Sequence, residues 1–258
     1  MFLLLHYNLP VIEVSDVWKS FGRNRVLAGV SLNVGDGETI TILGKSGSGK
    51  TVLLKNIVGL MRPDRGTVLI DGVDVARVRG RALYAMRKNM GFVFQWSALF
   101  DSMTVYENVA LPLVEMRVPA KKMKERVAEA LEMVEMAGTQ KLYPAELSGG
   151  MKKRVGVARA IVSRPRYLFY DEPTTGLDPV TADTICDLIA ELDRKLGVTS
   201  IVVTHDMHLA TKVSDRIILL SDGVIAWEGE PREALSCGDK AITDFLKATS
   251  LQAQERGA

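Results

Sequence analysis

The octapeptide Gly44-Lys45-Ser46-Gly47-Ser48-Gly49-Lys50-Thr51 constrains this chain more than any other stretch. It fits the whole G-x-x-x-x-G-K-[ST] pattern, a phosphate-binding loop that works only between a strand and a helix. Both flanks are present. Thr39 to Leu43 is a short apolar run with strand character, and the residues after the loop read as a helix to about Leu60. The glycines let the backbone curl until successive N–H groups point inward, a shape that side chains would obstruct. The loop then opens a helix, whose N-terminal partial positive charge favours anions. In that geometry Lys50 neutralises the β- and γ-phosphates of a nucleotide, and the Thr51 hydroxyl ligates Mg²⁺. A glycine-rich turn with a chance Lys-Thr pair is the competing reading.

The surrounding pattern alternates between strands and helices. Ile12 to Val17 and Val30 to Val34 alternate in polarity, with a turn at Gly35-Asp36-Gly37. Pro63-Asp64-Arg65-Gly66 is a turn ahead of a strand from Thr67 to Ile70, and Met90 to Phe94 forms another strand. From about Thr104 to Ser163 the character is helical, with Met123, Val127, Leu131 and Val134 at near-helical spacing. Strands return at Tyr167 to Tyr170 and Ser200 to Val203. Between them Ile185, Leu188, Ile189, Leu192 and Leu196 mark one helix stripe that Gly197 ends. The expected fold class is α/β: a mixed, mainly parallel sheet core, some antiparallel strands at the front and an inserted helical lobe. The polar tail beyond about Leu246 is expected to fray.

Composition narrows the setting. The 258 residues are 47% hydrophobic, with a net charge of +2. Lys and Arg are spread along the chain, so no basic arm points to nucleic acid. Met1 to Leu5 is too short for a signal-peptide core, and nothing approaches the ~20 apolar residues of a spanning helix. The chain is therefore expected to be soluble by itself. Cys186 and Cys237 lack metal-ligand spacing. They suggest a reducing, cytoplasmic setting in which both act as small hydrophobes.

A second chemical feature is the strand Tyr167 to Tyr170 followed by Asp171-Glu172. Neighbouring strand residues point opposite ways, so each acid can have its own task. Asp171 is assigned to the Mg²⁺ shell, and Glu172 to orienting and deprotonating a water that attacks the γ-phosphate. The alternative is a strand-end acid pair that caps the turn at Pro173.

With these features the chain resembles the ATP-binding-cassette (ABC) family of P-loop ATPases over nearly its whole length. Leu147-Ser148-Gly149-Gly150-Met151 resembles the family's LSGGQ signature, and Thr175-Gly176-Leu177-Asp178 its D-loop. Gln95 matches the Q-loop glutamine, His205 the switch histidine, and Phe21 the aromatic that stacks on adenine. The resemblance implies one ABC ATPase domain over 11–258. Its parts would be a nucleotide-binding core with an antiparallel lobe (11–95 and 164–235), a helical subdomain (96–163), and a C-terminal helix with a polar tail (236–258). It also implies that Gly44 to Thr51, Phe21, Gln95, Ser148, Gly149, Gly150 and Asp178 bind ATP. Thr51, Gln95 and Asp171 would hold Mg²⁺, and Lys50, Glu172 and His205 would serve hydrolysis.

Each of these matches has a plainer alternative. Ser148 can be only a helix N-cap, His205 a loop-end residue satisfying local backbone, Gln95 an exposed loop residue and Phe21 core. Met151 departs from the family's glutamine, and a thioether donates no hydrogen bond. With one phosphate loop and one signature per chain, the family resemblance implies a homodimer that sandwiches two ATP molecules.

The family resemblance further implies an integral membrane permease as partner, at the cytoplasmic face of a bacterial inner membrane. Phe94 to Val109 resembles the subset serving MCE/Mla-type phospholipid transport, with an MCE-type substrate-binding protein beyond the permease. Exposed Trp96 and Phe100 would then line the groove for the permease's coupling helix. Import of a small solute and lipoprotein release are the alternatives. A small accessory subunit docking on Ser221 to Ala258 is a further expectation. Soluble repair or translation factors of the family carry coiled-coil insertions or two cassettes, which this sequence lacks.

Overall fold

The computed structural model describes residues 10–256, with side chains for 10–248. Met1 to Leu5 lie outside the described residues. Strands β1 (Pro10–Phe21) and β2 (Asn24–Gly35) form a hairpin, closed by Gly22 in the left-handed region. Their buried positions include Ile12, Val14, Val17, Val30, Leu32 and Val34, the one-sided alternation expected of an antiparallel sheet. Strand β3 (Thr39–Leu43) belongs to a second sheet and runs into the phosphate loop, after which helix α1 (Lys50–Ile57) begins. The first sheet is completed by β4 (Arg65–Ile70) and β5 (Val73–Asp74), in the order β2-β1-β4-β5.

The chain continues through α2 (Gly80–Lys88) into β6 (Met90–Val93), then leaves the sheet for α3 (Val105–Glu115), α4 (Ala120–Met133) and α5 (Gly149–Ile161). It returns through β7 (Tyr167–Asp171), α6 (Pro179–Leu196), β8 (Thr199–Thr204) and α7 (Met207–Val213). Last come β9 (Arg216–Ser221), β10 (Val224–Gly229), α8 (Pro231–Ser236) and α9 (Lys240–Arg256). The second sheet has the order β10-β9-β3-β8-β7-β6, parallel except for the edge strand β10.

Strands β3, β7 and β8 are buried at every position. Continuous burial is what a parallel sheet covered on both faces requires. On one face Ile40, Ile42, Leu53, Ile57 and Phe169 join the inward residues of the first sheet. On the other, Leu168 and Tyr170 pack with Val105, Leu113, Leu131 and Val155 of the inserted helices and with Ile185 and Ile189 of α6. Helix α6 starts on an Asp178 cap with Pro179 behind it and stops at Gly197 (φ +59°), as its apolar stripe implies.

Several boundaries differ from the sequence reading. Helix α1 ends at Ile57, because Gly59 turns left-handed. Arg65 and Gly66 are already in β4. The tail does not fray at Leu246; α9 is helical through Arg256. Cys186 is buried, and burial pushes its thiol up to about 12, whereas Cys237 is exposed. Among the described residues no helix is long and apolar enough to cross a membrane.

One buried polar link ties the core strands to α6. Asp193 accepts hydrogen bonds from Tyr170 Oη (3.0 Å) on β7 and Thr39 Oγ1 (3.2 Å) on β3. Burial pushes its carboxyl up to about 6, against those two bonds. The folded-state value lies above the unfolded one, so this group weighs against folding increasingly as pH rises from about 4 through about 6. In denaturant melts, the stability of Asp193→Asn relative to the native chain should improve between pH 4 and pH 7. The expected change is roughly 2–3 kcal/mol. A pH-independent difference would show that this carboxyl ionises normally.

Candidate functional site

Strands β3, β7 and β8 are neighbours in register, with Leu43 opposite Thr204 and Asp171 opposite Val203. Their C-terminal ends therefore deliver the phosphate loop, Asp171-Glu172 and His205 to one sheet edge, where α/β folds place their ligands. The loop is shaped by sterics. Gly47 and Gly49 have φ of +81° and +101°. A Cβ on Gly44 would stand 2.4 Å from the Leu220 carbonyl oxygen, and one on Gly49 2.9 Å from that of Val26. Lys50 folds back over the loop, its Nζ donating to the carbonyls of Gly44 (2.8 Å) and Lys45 (3.0 Å). The Ser48 hydroxyl is buried without a protein partner. A buried lysine, an orphaned hydroxyl and a loop closing on a helix start suit a phosphate chain.

The acidic pair divides its contacts. Thr51 Oγ1 donates to Asp171 Oδ1 at 3.0 Å. Adjacent ligands of an octahedral Mg²⁺ stand roughly 3 Å apart, so these two oxygens fit one ion. Burial raises the Asp171 carboxyl above its usual value, with the Thr51 bond opposing. Glu172 faces the other way, its Oε2 2.8 Å from His205 Nδ1 and its Oε1 3.5 Å from Lys50 Nζ. Burial alone would raise this carboxyl, but the bond and charge of His205, together with Lys50, hold it below the usual carboxylate range. The bond to Glu172 in turn raises His205. Lys50 is lowered, because burial outweighs the two acids.

The separation of the two acids does not come from strand alternation, as the sequence suggested. Asp171 ends β7, and Glu172 lies beyond it with φ +49°. A left-handed non-glycine residue is uncommon and persists only when its surroundings hold it. Here the Glu172 N–H donates to the Val203 carbonyl at 2.8 Å, while its carboxylate takes the Thr175 and Thr204 hydroxyls at 3.4 Å. Glu172 also closes the following turn, since the Thr175 N–H donates to its carbonyl at 3.2 Å, so turn-capping describes part of what this acid does. His205 also binds a carboxylate rather than local backbone.

The remaining residues stand further out. Phe21 sits at the hairpin tip, paired with Asn24 and 48% exposed, so it is not core; Lys19 Nζ lies 5.8 Å above its ring. Ser148 caps α5, its Oγ accepting the Met151 N–H at 3.2 Å, and both Ser148 and Gly149 are exposed. Met151 packs its thioether against the helical core. Asp178 is taken up as the cap of α6, accepting the Thr181 N–H at 3.0 Å. Gln95 is half-buried just after β6, and no hydrogen bond joins it to Thr51 or Asp171 among the described residues. Sequence reasoning missed Lys153, whose Nζ donates to the Gln95 carbonyl, and Arg159; both are buried. Their only trace in the sequence is a Lys and an Arg on an otherwise apolar helix face. Trp96 is 73% exposed and Phe100 54%, so neither ring is buried in the helical lobe.

Such an edge defines a nucleoside-triphosphate-binding α/β protein of the phosphate-loop class. Residues 27–175 match the family model described as ABC transporter, and the chain belongs to that family. It is 41% identical over 237 residues to the methionine import ATP-binding protein MetN of Brucella abortus (strain 2308), covering 92% of this chain and 64% of that one. The chain thus spans less than two thirds of the length of that relative. It is also 40% identical to the probable ribonucleotide transport ATP-binding protein mkl of Mycobacterium leprae, over 90% of this chain and 67% of the relative. Among solved structures, a dimeric post-hydrolysis state of the ATP-binding cassette MJ0796 bound to ADP and Pi superposes with a TM-score of 0.78. It is 35% identical, covering 86% of this chain and 99% of that one. CbiO1 from Clostridium perfringens, part of the transporter complex cbiONQ, superposes with a TM-score of 0.81 at 31% identity, over 88% and 91% of the two chains.

Gly44→Ala tests the loop with one methyl group. Its Cβ would stand 2.4 Å from the Leu220 carbonyl oxygen and 2.6 Å from Ser48 Oγ in the loop itself, so the loop must deform. Calorimetric titration should give at least tenfold weaker ATP binding, with the thermal midpoint shifted by only a few degrees. Undiminished affinity would mean that nucleotide binds elsewhere.

Proposed function

We propose that this chain is the ATP-hydrolysing subunit of an ABC transporter, working as a homodimer on a separate integral permease at the cytoplasmic face of a bacterial inner membrane. The observation that carries this reading is the convergence of Lys50, Thr51, Asp171, Glu172 and His205 on one sheet edge. Mg²⁺ held by Thr51 and Asp171, with Gln95 approaching, would neutralise charge developing on the phosphates. The phosphate loop binds and orients the nucleotide, and Phe21 offers its exposed ring to the base. Lys50 and His205, which now flank Glu172, are the two groups that a γ-phosphate would claim. As they turn to phosphate they cease to depress Glu172, which becomes a stronger base for the attacking water.

The exposed start of α5 at Ser148 to Gly150 supplies backbone donors to the γ-phosphate held by the partner copy, and Asp178 stands beside that junction. ATP then acts as the adhesive between the copies, and hydrolysis releases them. The exposed rings of Trp96 and Phe100 form the permease contact. The division into a core (11–95 and 164–235), a helical part (96–163) and a C-terminal segment (236–258) belongs to the same proposal.

On substrate class, the names of the relatives favour import of a small solute, methionine or a ribonucleotide, over phospholipid. Phospholipid transport with an MCE-type partner is the second reading, carried by the resemblance of Phe94 to Val109, of Gly49 to Lys55 and of the methionine-ended signature to that subset. Reconstitution with the co-purified permease separates the two. ATP-dependent uptake of labelled methionine or ribonucleotide is expected. Phospholipid transfer without solute uptake would reverse the order.

Glu172→Gln should bind ATP undiminished, hydrolyse it ~10²–10⁴-fold more slowly, and elute as a dimer in MgATP. Full turnover in that variant would remove Glu172 as the base.

A further inference from the structure

The helix that starts at Ser148 also grips the loop that displays Trp96. One face of α5 presents Lys153, Gly156 and Arg159, three residues apart, to the segment Gln95 to Ala98. Lys153 Nζ donates to the Gln95 carbonyl, while the Arg159 guanidinium donates to those of Ser97 and Ala98, the latter at 2.6 Å. Between the two cations, a Cβ on Gly156 would lie 3.5 Å from Ser97 Cβ and 3.6 Å from its Cα, so helix and loop backbones nearly touch. The gripped loop is strained. Ser97 and Ala98 are consecutive non-glycine residues at φ +61° and +45°, a conformation that holds only where the surroundings over-determine it. From this loop the Trp96 ring projects outward.

Both cations are almost fully buried, at 5% and 8% exposure. A tie that served packing alone needs no charge, since apolar contact would spare the desolvation of an ammonium and a guanidinium. What buried cations add is short, directional, charge-assisted bonds to chosen carbonyls. We infer that Lys153 and Arg159 are positioning residues that lock the Gln95–Ala98 loop to the helix bearing Ser148. A displacement of that helix when Ser148 meets nucleotide is then passed to Trp96 as movement of one rigid piece. The inference rests on the ATP-driven closure proposed above.

Trp96 itself is the reporter. The chain has three tryptophans, so Trp18→Phe with Trp227→Phe leaves only Trp96 emitting. In that background, MgATP should change acrylamide quenching of Trp96. Lys153→Met is expected to lose at least half of that change and to lower kcat about tenfold, with the KM for ATP within twofold. Lys153→Arg, which keeps a charged donor, should bring both back to within twofold of the parent. A Lys153→Met protein that keeps the quenching change and kcat within twofold overturns the inference, as does a loss confined to KM. Should Lys153→Met fail to fold, as read by circular dichroism, Arg159→Lys replaces it. That variant keeps the charge and loses the two-pronged grip, so an unaltered Trp96 response there is equally fatal. A parent protein that neither hydrolyses ATP nor responds to it brings down the transporter reading itself, and the clamp with it. Hydrolysis in the parent with an unaffected variant brings down the clamp alone.

Discussion

The site depends on the register of three buried parallel strands. Leu43 stands opposite Thr204 and Asp171 opposite Val203, so β3, β7 and β8 end within one residue of each other, and every residue of the three strands is buried. Each fully buried Val, Leu or Ile contributes about 1.5–3 kcal/mol, so the register is held by many side chains at once. A slip of one residue would move Asp171 along its strand by about 3.3 Å. That is more than the whole length of its bond to Thr51, 3.0 Å. The chemistry at the edge is thus positioned by apolar contacts that take no part in it.

Against this rigid background the site itself is under tension. Glu172 is held in a left-handed conformation, and Lys50, Asp171 and Glu172 are all largely withdrawn from water. Burial shifts Lys50 down and Asp171 up, each toward its neutral form. Glu172 alone of the three is shifted toward its charged form, its carboxyl held below the usual value by His205 and Lys50. A cluster in which Lys50 and His205 already engage the Glu172 carboxylate is poised for redistribution when a more highly charged phosphate arrives. The Gln95–Ala98 loop repeats the theme at the helical side: strained backbone, buried cations, and an exposed aromatic ring at the far end.

Much of this was legible locally. The phosphate loop, its strand and its helix occupy adjacent residues, so pattern alone revealed them. The cap at Ser148 and the stop at Gly197 follow from single residues whose backbone preferences are strong. Other elements were not legible, for physical reasons. Helix α2 buries no residue fully, and its half-buried Leu83 and Met86 make a stripe too short to mark it in the sequence. The opposite facing of Asp171 and Glu172 looked like strand alternation, but a left-handed turn makes it, held by the Val203 carbonyl more than thirty positions away.

The amino-acid order by itself determined a phosphate loop between strand and helix, an acid pair closing a buried strand, and the family to which these belong. Those features are local, and glycine, lysine and paired carboxylates have few other uses in that arrangement. Only the tertiary structure decided that His205 and Lys50 converge on Glu172, that Phe21 and Trp96 face solvent, and that Lys153 and Arg159 are buried against backbone carbonyls. Each of these depends on which distant strand or helix stands opposite, and so on packing of the whole sheet rather than on any residue's own preference.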